Sequence, residues 1–197
     1  MSVSAYPVRR MPMETLHGAD SAVTVHDYGM QGRFGIKGRG ACDWLAMEGY
    51  MPPDRINTMR RDVQGVDIMR LGNEDFLVVG SVDADRSALD RFRTRWLDST
   101  VERKGYNSYR EEVWGWLHLC GPDVAAFMAQ TCPVDLREDA LALDAVAQTR
   151  VAQMDCVLVR SDRSGLCGFD VFFDVASTAF LYQSLAVLLD ENDNILI

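Results

Sequence analysis

The sequence predicts an α+β fold built from two βαββα units in tandem, and three observations carry that expectation. Gly32 to Ala46 (GRFGIKGRGACDWLA) and Gly115 to Ala129 (GWLHLCGPDVAAFMA) superpose without a gap at an offset of 83 residues, each reading as strand, glycine turn and helix start. Met51-Pro52-Pro53-Asp54 and Cys132-Pro133-Val134-Asp135 then punctuate the two halves at corresponding places. In both halves two strand-like stretches and a longer helical stretch follow, so sheets carrying helices on one side are expected. The organisation expected is an N-terminal arm over 1–22, one internally duplicated domain over 23–190 (repeats about 23–98 and 108–190) and a tail over 191–197.

Taken in order, the arm holds two prolines and no sustained period. Phe34 and Ile36 alternate with Arg33, Gly35 and Lys37, the period of a strand with one buried face. Gly38 and Gly40 permit a tight turn, after which Ala41, Trp44 and Leu45 fall at helical spacing. Asp67 to Leu71 and Phe76 to Val79 read as a hairpin around Gly72-Asn73, and Ser87 to Leu97 as a helix with Leu89, Phe92 and Trp96 on one face. The polar stretch from Asp98 to Asn107 marks the seam between the halves. The second half repeats the order with a strand near Val113 to Leu119, a turn at Gly121-Pro122 and a helix carrying Val124, Phe127 and Met128. Strands around Val151 to Val159 and Phe169 to Phe173 flank a turn at Ser161 to Gly165, and a helix from about Ala176 to Leu189 presents Phe180, Leu181, Leu185, Leu188 and Leu189.

With 48 % hydrophobic and 25 % charged residues over 197 positions, the chain has enough apolar surface for one fused globular domain. A net charge of −9 with the signs interspersed offers no cationic stripe, so no nucleic acid is expected as partner. No stretch has the apolar length to cross a bilayer and the opening MSVSAYPVRRMPMETL lacks a signal-peptide core, so no membrane contact and a cytoplasmic location are expected. Cys42, Cys120, Cys132, Cys156 and Cys167 form no C-x-x-C pair and read as free, mostly buried thiols.

Every candidate for chemistry has a plainer reading that outweighs it. Gly38-Arg-Gly40-Ala-Cys-Asp43 looks like the start of a dinucleotide fingerprint, but Asp43 stands where the third glycine belongs and would repel pyrophosphate. His26-Asp27 and His118 invite an acid–base reading; neighbours in a strand point to opposite faces, so His26 and Asp27 do not pair, and structural or surface histidines are expected. Cys120, ahead of a helix start, reads as an inert packed thiol. No catalytic, cofactor-binding or metal-ligating residue is assigned to the chain. The two first strands differ, however: Gln31, Arg33, Gly35 and Lys37 make a polar face where the aligned positions are Trp114, Trp116, His118 and Cys120. Something must cover those tryptophans, either the chain's own helices or another subunit, and a partner surface around Trp116 is the expectation.

These repeats, with Cys132-Pro-Val-Asp-Leu136, Ala147-Gln-Thr-Arg150 and Gly168-Phe-Asp-Val-Phe-Phe173, resemble the gamma subunit of heterotetrameric sarcosine oxidase from about Val23 to Leu189. That family is similar in fold to the folate-binding domain of aminomethyltransferases, and the small subunit of N-methylglutamate dehydrogenase is similar too. The resemblance implies a non-catalytic subunit of a flavoenzyme that oxidatively demethylates a secondary amine such as sarcosine and passes the one-carbon unit to tetrahydrofolate. It implies no cofactor in this chain, with FAD, FMN, NAD and tetrahydrofolate in alpha, beta and delta-type partner subunits, chiefly the large folate-domain subunit. The alternative is a free-standing folate-binding protein or one-carbon transferase. Against it, Gln64-Gly65-Val66-Asp67 is a degraded form of the Gly-Gly-Asp motif that carries the transferases' catalytic aspartate, and Val78-Val79-Gly80 replaces their Val-Val-Asn. Asp67 is therefore expected to be a solvated strand-start residue.

Overall fold

The computed structural model describes residues 16–17, 23–81, 87–102, 104–163 and 165–193. The first half runs β1 (Leu16–His17), β2 (Thr24–Asp27), β3 (Arg33–Lys37), α1 (Ala41–Met47), β4 (Thr58–Arg61), β5 (Val66–Gly72), β6 (Asp75–Gly80) and α2 (Ser87–Asp98). The second half runs β7 (Tyr106–Asn107), α3 (Arg110–Val113), β8 (Trp114–Cys120), α4 (Val124–Met128), β9 (Val146–Val151), β10 (Met154–Arg160), β11 (Gly168–Asp174), a single 3-10 turn (Val175–Ser177) and α5 (Thr178–Asp193).

Two antiparallel sheets result, in the orders β1-β2-β8-β11-β10-β9 and β4-β5-β6-β3-β7. From β8 to β9 and from β3 to β4 the orders are the same. Each sheet is completed by the other half's lead-in: β2 precedes the first unit yet pairs with β8, and β7 precedes the second yet pairs with β3. This reciprocal lacing ties the two halves together, because each sheet takes in a strand from the other half's lead-in.

Four layers stack helices, sheet, sheet, helices. Phe34, Ile36, Ile68, Phe76 and Val78 pack outward against Trp44, Leu45, Phe92 and Trp96 of α1 and α2. On the other side Leu117, Leu119, Leu158, Phe169 and Val171 pack against Val124, Phe127, Leu181 and Leu185 of α4 and α5. Between the sheets lies a third core, in which Met59, Met69, Leu77 and Val79 meet Trp116, Val157, Val159 and Phe172. The sheets also join at one corner, where Met59 N–H donates to Asp144 O (2.8 Å) and Val146 N–H to Asn57 O (2.9 Å).

Several sequence expectations change here. Each unit is βαβββα, not βαββα. β4 (TMRR) and β9 (VAQTRV) are edge strands with few buried side chains, so their hydrophobic period is faint. The β9–β10 turn was also invisible, because Ala152 (φ 48°) and Gln153 (φ 67°) take the left-handed conformation without a glycine or asparagine to advertise it. The seam contributes β7, α3 follows it, and α5 runs to Asp193 rather than ending near Leu189. Of the predicted apolar stripe on α5, Phe180 is exposed. Leu16–His17 of the expected arm pairs with β2; the remainder of 1–22 and residues 194–197, including the apolar terminus, lie outside the described residues.

The expected wet face of β3 is wet only at its end, where Lys37 is exposed. Arg33 and Gly35 are buried because both faces of a central strand are interior in a four-layer stack, and the Arg33 guanidinium donates to the carbonyls of Gly29 (3.2 Å) and Gln31 (3.0 Å). Trp116 is fully buried against the opposing sheet of its own chain, so neither its helices nor another subunit covers it, and the partner surface expected there is overturned.

Candidate functional site

Alternation along β8 sends Leu117 and Leu119 toward the helices and leaves Trp116 and His118 between the sheets. In register on β11, Asp170 lies opposite His118 and Phe172 opposite Trp116, so Asp170 faces inward as well. Its Oδ1 accepts from Trp116 Nε1 (3.0 Å) and lies 3.0 Å from His118 Nδ1; its Oδ2 accepts from Arg163 Nε (2.6 Å). Arg163, from the loop between β10 and β11, spans the gap and donates through a terminal nitrogen to Asp67 Oδ2 (2.7 Å) on β5 of the other sheet. The guanidinium sits 5.2 Å from the Trp116 ring, a cation–π contact. Tyr28, following β2, stacks on His118 (5.7 Å) and meets Trp116 edge-on (5.2 Å), while His26 stacks 6.1 Å from His118.

The cluster is dry: His118 and Asp170 have no exposed surface and Asp67 has 1 %. Asp67 is thus an interior side chain held by Arg163 and not the solvated strand-start residue expected. The register of β5 explains this, since Asp67 pairs with Val79 and both face the opposing sheet. Burial acts on both carboxylates, with opposite outcomes. It pushes the Asp67 carboxyl above the usual range in spite of Arg163, whereas for Asp170 it is outweighed by His118 and Arg163, which hold that carboxyl low. Arg163 itself is raised: burial works against its charge, and the two carboxylates outweigh it.

Sequence reasoning placed His118 as a structural histidine, which agrees with its burial beside Asp170, but it did not find Asp170 or Arg163. A lone aspartate in the apolar run Phe169 to Phe173 was the available signal, since a buried carboxylate demands partners. His26 and Asp27 do not pair; Asp27 accepts from Gly29 N–H (2.6 Å). At the supposed phosphate turn, the Cys42 N–H of the seven-residue α1 already donates to Glu74 Oε2 (2.9 Å), filling the place an anion would take. Cys120 is buried, and burial raises the thiols of Cys42, Cys167 and Cys156, the last to about 12, away from nucleophilic thiolate character.

A cleft of about 590 Å³ opens at one end of the sheets, lined by Arg110, Trp114, Gln148, Arg150, Asp155 and Phe172 among others. Its polar groups are already engaged. Arg110 pairs with Asp75 (2.6 Å), Gln148 donates to Asn57 Oδ1 and Leu71 O (2.8 Å each), and Arg150 pairs with Asp155 (2.9 Å).

No family profile matches the sequence, and no curated protein matches it. Solved structures do. A chain of heterotetrameric sarcosine oxidase from Corynebacterium sp. U-96, in complex with pyrrole 2-carboxylate, superposes with a TM-score of 0.69 at 20 % identity, covering 86 % of this chain and 84 % of that one. Aminomethyltransferase T of the glycine cleavage system from Bartonella henselae superposes at 0.60 with 18 % identity over 82 % of this chain, which spans 44 % of that enzyme's length. The likeness is one of fold, and it is the fold that the sequence resemblance implied. Among the described residues no helix is long and apolar enough to cross a membrane.

Proposed function

We propose that the chain is a non-catalytic, gamma-type subunit of a multisubunit, sarcosine oxidase-like flavoenzyme. Such an assembly oxidatively demethylates sarcosine or a similar secondary amine and transfers the one-carbon unit to tetrahydrofolate. The observation that carries the reading is mutual coverage: the fold accounts for 84 % of the sarcosine oxidase chain but 44 % of the aminomethyltransferase. The matched region thus corresponds to most of that sarcosine oxidase chain and to less than half of the transferase. The burial of Asp67, whose Oδ2 is taken by Arg163, supports the same reading against the folate-enzyme alternative.

In this reading FAD, FMN, NAD and tetrahydrofolate belong to alpha, beta and delta-type partners, the large folate-domain subunit being the chief contact. The chain contributes by fixing the positions of those domains. It works in the cytoplasm, and the matching strand orders of its two halves descend from duplication of one βαβββα unit. Isolation from its native cell tests the proposal: flavin-bearing chains that oxidise an N-methyl amine should co-purify in fixed ratio. A lone chain turning over substrate unaided would overturn it, as would saturable quenching of its tryptophan fluorescence by tetrahydrofolate, which the folate-protein alternative requires.

A further inference from the structure

The junction between the sheets holds one guanidinium and two carboxylates, and the donors are shared unequally. Asp170 receives Trp116 Nε1, Arg163 Nε and the Nδ1 side of His118; Asp67 receives a single bond, from Arg163. Both are out of water. Arg163 and Asp170 already balance each other, so an ionised Asp67 would be a second buried negative charge with one hydrogen bond to stabilise it, an arrangement that burial disfavours.

We propose that folding places a proton on Asp67, so that this aspartate stands between the sheets as a neutral carboxylic acid and acts as a pH-sensitive latch of the inter-sheet junction. The proton comes from solvent and is taken up on one carboxylate oxygen, leaving Oδ2 to accept from Arg163. Arg163 and Arg61, the latter opposite Asp67 in the β4–β5 register, favour the ionised form, and burial outweighs them. His118 and Asp170 face the site from β8 and β11, Arg163 from the β10–β11 loop, and Tyr28 and His26 from β2 and its continuation. On Asp67's own sheet, Arg61 of β4 is drawn to Asp144 (3.3 Å), and Arg33, in register two strands away through Val79, is held by the Gly29 and Gln31 carbonyls. Neither supplies Asp67 with a bond. The direction in which burial moves the Asp67 carboxyl is the same.

The sign follows from linkage. A carboxyl raised in the folded chain binds a proton that the unfolded chain has released above about pH 4, so it favours folding at low pH and the advantage is lost as pH rises through the folded value. Urea unfolding of the full chain and of Asp67→Asn, across acid to alkaline pH, reads this out. The ratio of folding constants, wild type over variant, should fall about tenfold per pH unit from about pH 4 until Asp67 ionises in the folded state. A flat ratio overturns the proposal. Should Asp67→Asn not fold, the Asp67 ¹³Cγ resonance of the wild-type chain at about pH 5, where an ordinary aspartate is more than nine-tenths ionised, decides it. A carboxylic-acid shift supports the latch, and a carboxylate shift overturns it.

Discussion

The chain builds the junction between its sheets twice, and the two versions differ in charge balance. At one end Arg163 lies over Trp116 and binds Asp170; at the other Arg110 lies 4.7 Å from the Trp114 ring and binds Asp75 (2.6 Å) and the Phe76 carbonyl (3.0 Å). Both are a guanidinium on an indole with a carboxylate in reach. Around Arg110, though, cations are in excess, because Asp75 also takes Lys37 (3.0 Å), and Lys37 is half exposed. Around Arg163 carboxyl groups are in excess and the side chains are almost wholly buried. An imbalance at the surface is met by solvent; an imbalance in the interior must be met by proton uptake or by rigid hydrogen bonding.

The largest effect expected from this contrast is at Arg163. Arg163→Met leaves the buried Asp170 carboxylate without its guanidinium and Asp67 without its hydrogen bond, and should cost about 3–5 kcal/mol in urea unfolding at neutral pH. Arg110→Met leaves Asp75 with Lys37 and partial solvent and should cost about 1–3 kcal/mol. Equal costs would break the comparison. A second substitution sharpens it: Asp67→Asn should cost less in the Arg163→Met background, where the Arg163 hydrogen bond is already gone, than on its own, a coupling that separate, additive sites would not show.

Asp170→Asn comes next, smaller because Arg163 keeps Asp67 as a partner. Asp170 is the carboxylate held low, so it contributes stability above its unfolded value of about pH 3.9, and that contribution is lost as pH falls through the folded value. The variant should therefore flatten the acid limb of the stability profile, the opposite limb to the one Asp67→Asn affects. Loss of the same limb in both variants would merge the two carboxylates into one role.

How far this was legible in the sequence follows from the same residues. Strand, turn and helix around Gly38 and Gly121 were readable because hydrophobic period and glycine punctuation coincide there. β4, β7 and β9 were not, since edge strands bury few side chains and Ala152-Gln153 turns without a turn residue. Trp116 was correctly singled out as needing cover, but alternation within one strand cannot reveal that the cover is a second sheet. Asp67 was misjudged for that reason too: a strand-start aspartate looks solvated until the opposing sheet supplies Arg163, 96 residues away in sequence.

An intermediate effect tests how the equivalent positions Gly35 and His118 are filled. Where His118 occupies its site with an imidazole, Gly35 leaves room for Ser108 and Arg110; an added Cβ would come within 2.1 Å of Ser108 Oγ and 2.9 Å of Arg110 Cγ. Ser108 can rotate, but Arg110 is fixed at both ends by Asp75 and Trp114. Gly35→Ala should cost about 1–3 kcal/mol through overpacking and displace Arg110 from the indole. An unchanged midpoint would mean the Arg110 junction is looser than the Arg163 junction in packing as well as in charge.

The smallest effect belongs to the corner where β4 meets the start of β9. Arg61 reaches Asp144 across that corner at 3.3 Å, but its side chain is 46 % exposed and that of Asp144 31 %. Solvent screening leaves such a pair about 0.2–1 kcal/mol. The backbone bonds Met59 N–H to Asp144 O and Val146 N–H to Asn57 O do the joining without it. Arg61→Ala should accordingly lower stability by no more than that amount, and the loss should vanish near 1 M salt, where charges are screened within about 3 Å. Arg163→Met, buried and unscreened, should keep most of its cost in the same salt. If both lose their cost together, the Arg163 junction is open to solvent ions and its dryness, the basis of the contrast with Arg110, is wrong.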